Sequence, residues 1–316
     1  MRIDASPFAQ IDSIVAGRGF VDSSTSARIE RLQDAAAPAG PLCLSIAEAL
    51  RSLGPDGDVL LFTGFVVPER MPHGENDGPL GTVVLARALK RLGLRPEIWT
   101  DPQVLDTTAW LSAECGANVG VRSLDSPHLK RRIPSVAIAI EKPGRNRRGV
   151  MHTFDGVAIE AGSIRVDDLF ERWTSDGVLT VGIGDRGNEI GFGRIADIVR
   201  AVLPEAATCQ CGCGGGVVAE TPTRWLLPSA VSNWGAYGLA AALALLSGDV
   251  GCMVRPSEET RMLQIAALRG CVDGVRRRGT FGVDAVRGGV CLDVVRTLER
   301  VVGDALEGNE QKNACA

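Results

Sequence analysis

The sequence has no apolar run long enough to span a bilayer, no surplus of positive charge, and only three histidines. Each shortage removes a class of function. The most apolar stretch, Tyr237 to Leu246, falls well short of the roughly 20 residues a membrane helix needs, so a buried helix and no membrane partner are expected. The formal charge of −4, with no basic cluster beyond Lys130-Arg131-Arg132, gives no footprint for nucleic acid, whose phosphates must be neutralised. His73, His128 and His152 belong to neither a Ser-His-Asp pattern nor an H-E-x-x-H, and none is assigned a triad or zinc role. No ATP motif, internal repeat or long linker is found.

Nine cysteines make an odd number for a disulfide framework, and Met1-Arg2-Ile3-Asp4 leads into polar residues rather than a secretory apolar core. Reduced thiols and a cytoplasmic location are expected. Cys209-Gln-Cys211-Gly-Cys213 has no second cysteine pair or Cys/His pair beside it. A row of thiols on one face of a strand is therefore expected in preference to a bound metal.

What the chain does have is the composition of an α/β protein: 45% apolar residues, 23% charged, and 38 glycines falling mostly in short loops between apolar runs. Strand-like runs at Val59–Thr63, Glu97–Thr100, Asn118–Ser123, Val136–Glu141, Val178–Ile183 and Trp225–Val231 alternate with helical patterns. The helical segments are Pro79–Leu92, Val104–Cys115, Val166–Ser175, Arg194–Leu203 and Trp234–Leu246. This alternation predicts a mostly parallel sheet with helices on both faces. Residues 1–55 read as an N-terminal helical segment and 56–255 as the core. Ser257–Arg277 and Cys291–Val302 read as C-terminal helices within 256–308, completing one domain before a disordered tail at 309–316.

Four polar segments each follow a predicted strand, and in a parallel sheet such loops meet at one edge, where ligands bind. They are Glu75-Asn76-Asp77, the stretch from Lys142 to Gly149, the stretch from Gly184 to Gly193, and Ser232-Asn233. Gly182, Gly184 and Gly187 spell a G-x-G-x-x-G, but Asp185 and Glu189 would oppose a pyrophosphate and the helix starts only near Arg194. A structural glycine turn and an acidic catalytic or metal loop both remain open. Glu75 and Asp77 read alone as a solvated turn with a helix cap at Asp77. Beside Asp185 and Glu189 they become a carboxylate cluster that perturbs its own pKa values or holds a divalent cation. Arg147 and Arg148 are expected to be solvated, whereas Lys142, Arg145 and Asn146 suit a carboxylate. Ser232-Asn233 reads as an N-cap pair that can also receive an anionic group.

These motifs resemble the D-glutamate cyclase family. The matching residues are Thr63-Gly64-Phe65, Glu75-Asn76-Asp77-Gly78-Pro79, Ala139 to Asn146, Gly182 to Gly193, and Val231-Ser232-Asn233-Trp234-Gly235, with a weaker likeness at Glu258 to Leu263. The family usually has Thr where Asn76 stands and Gly where Arg186 stands, and an aromatic pair where Met151-His152 stands. These departures bear on substrate more than on fold.

The resemblance implies a lyase that closes glutamate to the lactam 5-oxoproline. Glu75, Asp77, Asp185, Asn188 and Glu189 are the expected catalytic set, with the base among Glu75, Asp77 and Asp185. Glu189, or a Mg²⁺ or Mn²⁺ held by Glu75, Asp77 and Asp185, would assist loss of the γ-oxygen. Glu141, Lys142, Arg145, Asn146, Ser232 and Asn233 would hold the substrate. A small amino acid is the expected partner, with homo-oligomerisation open. Another lyase, hydrolase or epimerase on this scaffold, or a non-catalytic amino-acid-binding protein, are the alternatives.

Overall fold

The computed structural model describes residues 4–37 and 39–314, with side chains as far as residue 308. Six parallel strands form the sheet: β1 (Asp58–Thr63), β2 (Arg95–Thr100), β3 (Gly120–Ser123), β4 (Val136–Ile140), β5 (Leu179–Gly184) and β6 (Trp225–Pro228). Their order is β3-β2-β1-β4-β5-β6. The direction of winding therefore reverses between β1 and β4, which puts a crevice at their carboxyl ends.

Helix α4 (Pro79–Arg91) joins β1 to β2, α5 (Leu105–Glu114) joins β2 to β3, α6 (Asp167–Ser175) joins β4 to β5, and α7 (Ala196–Val202) joins β5 to β6. Helix α8 (Ser232–Ser247) follows β6. Three helices, α1 (Ser6–Val15), α2 (Ser23–Ala36) and α3 (Leu42–Arg51), precede the sheet, in keeping with the N-terminal helical segment expected from sequence. The two faces of the sheet are unequally covered. On one, Val136, Ile138 and Ile140 join a large core with α4, α8 and the terminal helices. On the other, Ala137 and Ala139 are small enough to seat Phe62, Phe170 and Trp173, whose ring centroids lie 5.2–5.8 Å apart.

The Tyr237–Leu246 stretch lies within α8, which is buried from Ser232 to Ala244 because other helices surround it. No described helix is long and apolar enough to cross a membrane. Helix α9 (Pro256–Leu268) is shorter than the predicted Ser257–Arg277. Tertiary pairing replaces helical pairing there: Val272 N–H donates to Gly74 O at 3.1 Å, and Asn76 N–H donates to Val272 O at 2.9 Å. The glycine-rich stretch beyond is a hairpin, β7 (Gly282–Val283) with β8 (Val286–Arg287). Helix α10 (Gly288–Ala314) continues through most of the tail that composition marked as disordered, leaving residues 315–316 outside the described residues.

The ends of α4 and α8 cap each other across the crevice. Asn233 Oδ1 accepts the N–H groups of Gly78 (3.0 Å) and Gly81 (2.7 Å) at the start of α4. Asp77 returns the contact, accepting Ser232 N–H at 2.9 Å and Asn233 N–H at 2.7 Å at the start of α8. Such orphan helix donors need acceptors wherever water is excluded. Gly78 is required at this junction: its φ is +93°, and a Cβ there would meet Thr63 Oγ1 at 2.6 Å.

Candidate active site

The crevice gathers carboxylates from four places in the chain. Glu75 and Asp77 come from the β1–α4 loop, Glu141 from the end of β4, Asp185 and Glu189 from the loop after β5, and Asp284 from the β7–β8 turn. Glu141 sits at φ +48°, a conformation non-glycine residues seldom adopt, and its Oε2 accepts the Ser232 hydroxyl at 2.5 Å. One oxygen from each of Glu141, Asp185 and Glu189 lies within 4.8 Å of the others, and the same holds for Asp77, Asp185 and Asp284. Asp185 belongs to both triads.

Burial pushes the pKa of Glu75, Asp77, Glu141 and Asp185 well above the ordinary carboxylate range, and that of Glu189 upward. Neighbouring charges add to it: Asp284 acts on Glu75 and Asp77, Glu189 on Glu141, and Glu141 on Asp185. Like charges this close in a dry site cannot all ionise, so the cluster must retain protons or hold a cation. The hydrogen bonds point the same way. Both Asp185 oxygens, Glu75 Oε1 and Asn188 Oδ1 are buried without a hydrogen-bond partner. Buried acceptors left unpaired in this way call for donors or a cation from outside.

The cation at this cluster is Arg186. Its Nη2 donates to Asp284 Oδ2 at 3.3 Å, its Nε lies 3.7 Å from Asp185 Oδ2, and its guanidinium stacks 4.8 Å from the centre of the Phe154 ring. Arg70 and Arg277 line a cavity with Arg186, Glu75 and Glu141, both paired with Asp155.

Several residues expected to grip substrate are committed elsewhere. Lys142 is fully buried, donating to Asp101 at 2.6 Å and to Gly64 O at 3.1 Å. Arg145 points away from the crevice to Asp168 and Glu171 on α6. Asn146 braces its own turn, accepting from Arg148 and Val150 N–H and donating to Gly216 O at 2.7 Å. The Ser232-Asn233 helix end, expected to receive an anionic group, has its N–H groups taken by the protein's own Asp77. The glycines of the G-x-G-x-x-G serve packing: a Cβ on Gly182 would lie 2.5 Å from Ile190 O, where the loop folds back on its strand.

An all-oxygen donor set of this kind suits a hard cation such as Mg²⁺ or Mn²⁺. The expected trio of Glu75, Asp77 and Asp185 is redistributed, since Glu75 enters neither triad while Glu141, Glu189 and Asp284 do. Asp284 was missed from sequence. Arg186 was noticed only as a departure from the family pattern.

The family model described as D-glutamate cyclase-like, C-terminal, matches residues 35–299. The mitochondrial D-glutamate cyclase of Homo sapiens is 28% identical over 227 residues, covering 64% of this chain and 35% of that protein. The match thus spans about a third of the length of that curated relative.

Proposed function

The chain belongs to the D-glutamate cyclase-like family, and we propose that it closes an amino dicarboxylate to a lactam, taking D-glutamate to 5-oxo-D-proline with loss of water. The observation that carries this reading is Asp185: both its oxygens are buried and unpartnered, and it lines a cavity together with Arg186 and Asp284. A zwitterion would set its ammonium on Asp185 and a carboxylate on the neighbouring Arg186. Carboxylates this deeply buried are costly for mere binding but useful for moving protons.

The reaction must take two protons from the ammonium nitrogen and deliver both to the departing γ-oxygen. Asp185 accepts the first proton, freeing the amine to attack the γ-carbon. A carboxyl group kept protonated by its neighbours, Glu75 or Glu141, donates to the γ-oxygen and masks its charge as the C–N bond forms. The second nitrogen proton passes through the same cluster as the C–O bond breaks and water leaves. Holding amine and carboxyl face to face supplies up to roughly 7–11 kcal/mol, so ring closure does not demand a nucleotide. A divalent cation on Glu141, Asp185 and Glu189 would supply Lewis-acid masking of the same charge.

The test is incubation of purified protein with D- and L-glutamate and their homologues, read by mass spectrometry for a product lighter by one water. Lactam from one glutamate enantiomer is the expected result. Calorimetric binding of these amino acids without any dehydrated product would overturn the assignment in favour of a binding protein.

A further inference from the structure

The Cys209–Cys213 segment, expected to lay its thiols along a strand, instead turns tightly and brings its sulfurs together. Cys209 Sγ lies 3.4 Å from Cys213 Sγ and 3.6 Å from Cys211 Sγ. A fourth group joins them from 57 residues earlier: the imidazole of His152, in a fully buried residue, places Nε2 at 3.2 Å from Cys211 Sγ. All four candidate ligand atoms lie within 4.8 Å of one another. The Cys/His partner that the motif lacked in sequence is supplied by the fold.

We propose that His152, Cys209, Cys211 and Cys213 bind a structural Zn²⁺ in a Cys₃His site. Zinc bonds of about 2.3 Å to sulfur and 2.0 Å to nitrogen in a tetrahedron separate ligand atoms by roughly 3.5–3.8 Å. The observed separations of 3.2, 3.4 and 3.6 Å need only small adjustment to accept an ion at the centre. A disulfide would account for two of the sulfurs and leave the third thiol and the buried imidazole without a role. The surroundings also suit thiolate: Asn146 Nδ2 donates to Cys213 Sγ at 3.4 Å and Gly215 N–H donates to it at 3.3 Å. Donors to ligating sulfur are the usual support around such a metal. Four protein ligands leave no open position, which makes the ion structural rather than catalytic.

Its place in the molecule gives it a positioning role. His152 O accepts Asn188 Nδ2 at 3.0 Å, and Phe154, two residues on, carries the Arg186 guanidinium. The ion would fasten the cysteine turn to the segment that orients both. The inference rests on the cysteine and histidine geometry alone, whatever the substrate.

The test is metal analysis of the full chain, purified without chelators from zinc-supplemented medium. One zinc per chain is expected in the wild type and a substoichiometric amount in Cys211→Ser, which alters the most exposed of the three thiols. Cobalt-substituted wild type should show intense thiolate-to-metal charge-transfer absorption, weakened in Cys211→Ser. The wild-type measurements stand even where that variant folds poorly. Wild type that carries no zinc and takes up no cobalt, a Cys209–Cys213 disulfide in non-reduced peptides, or a Cys211→Ser protein with full zinc and an unchanged cobalt spectrum would each overturn the assignment.

Discussion

Replacing Asp185 with asparagine should lower activity while raising stability. The carboxylate accepts no hydrogen bond, and its nearest guanidinium nitrogen is 3.7 Å away. Burial, then Glu141 and Asp284, push its pKa well above 3.8. An acid whose pKa rises on folding contributes full stability below its unfolded pKa, and loses that contribution as pH rises through the folded value. Asparagine does not titrate, so the variant's profile should be flatter and its advantage should grow toward alkaline pH. Leaving a buried polar group unpaired costs about 1–3 kcal/mol. The asparagine amide can donate to the surrounding carboxylates, and loss of the Arg186 attraction removes part of the gain, leaving about 1–2 kcal/mol at about pH 8. Turnover should fall at least roughly 10²-fold, the usual loss when a positioned acid/base is removed. Urea unfolding at about pH 5 and about pH 8, beside lactam formation by mass spectrometry, measures both effects. A variant less stable than wild type at the higher pH would refute the electrostatic argument, and undiminished turnover would remove Asp185 from the chemistry.

Arg186→Ala should weaken calorimetric binding of substrate or product by roughly 10- to 150-fold, from the loss of about 1.5–3 kcal/mol in a charged hydrogen bond, with partial recovery in Arg186→Lys. Arg145→Ala is the control, since its partners on α6 are solvent-facing; equal affinity losses in both variants would contradict the placement of Arg145 outside the cleft. Lys142→Met should destabilise by about 3–5 kcal/mol by stranding Asp101, and adding Asp101→Asn should restore much of the loss. Chemical denaturation of the single and double variants decides this. Burial pushes Glu259 up to about 7 even though Tyr237 donates to it at 2.6 Å. Wild type should therefore lose about 3 kcal/mol from this group as pH rises from 4.5 to 7, and Glu259→Gln should remove that slope from the stability profile.

How far the site could be read from sequence depended on whether each signal was local. The six strands and the convergence of Glu75, Asp77, Asp185 and Glu189 were legible, because apolar runs followed by polar loops fix which sheet edge a loop occupies. Direction within a loop was not legible. Lys142 and Arg145 share a turn with Glu141, yet only Glu141 faces the crevice, a choice made by Asp101 and by α6 rather than by neighbours in sequence. Asp284 was hidden for a different reason. It and Ala285 both have positive φ, +50° and +63°, in a two-residue hairpin turn that usually announces itself with Asn-Gly or Asp-Gly. Alanine at the second position concealed that signal. The cysteine cluster was hidden by distance, since its histidine is 57 residues away and sits outside any recognisable ligand spacing.

The mutual capping of α4 and α8 bears on how the chain can assemble. Helix α4 lies between β1 and β2, while α8 follows β6, so the acceptor each helix start needs is held by the opposite half of the sheet. Divided in the connection between β3 and β4, the chain would leave each half with exposed donors at a principal helix and with Asp77 or Asn233 facing nothing. The junction beside the carboxylate cluster is therefore a joint between the two halves of the sheet, and the site exists only where both halves are assembled.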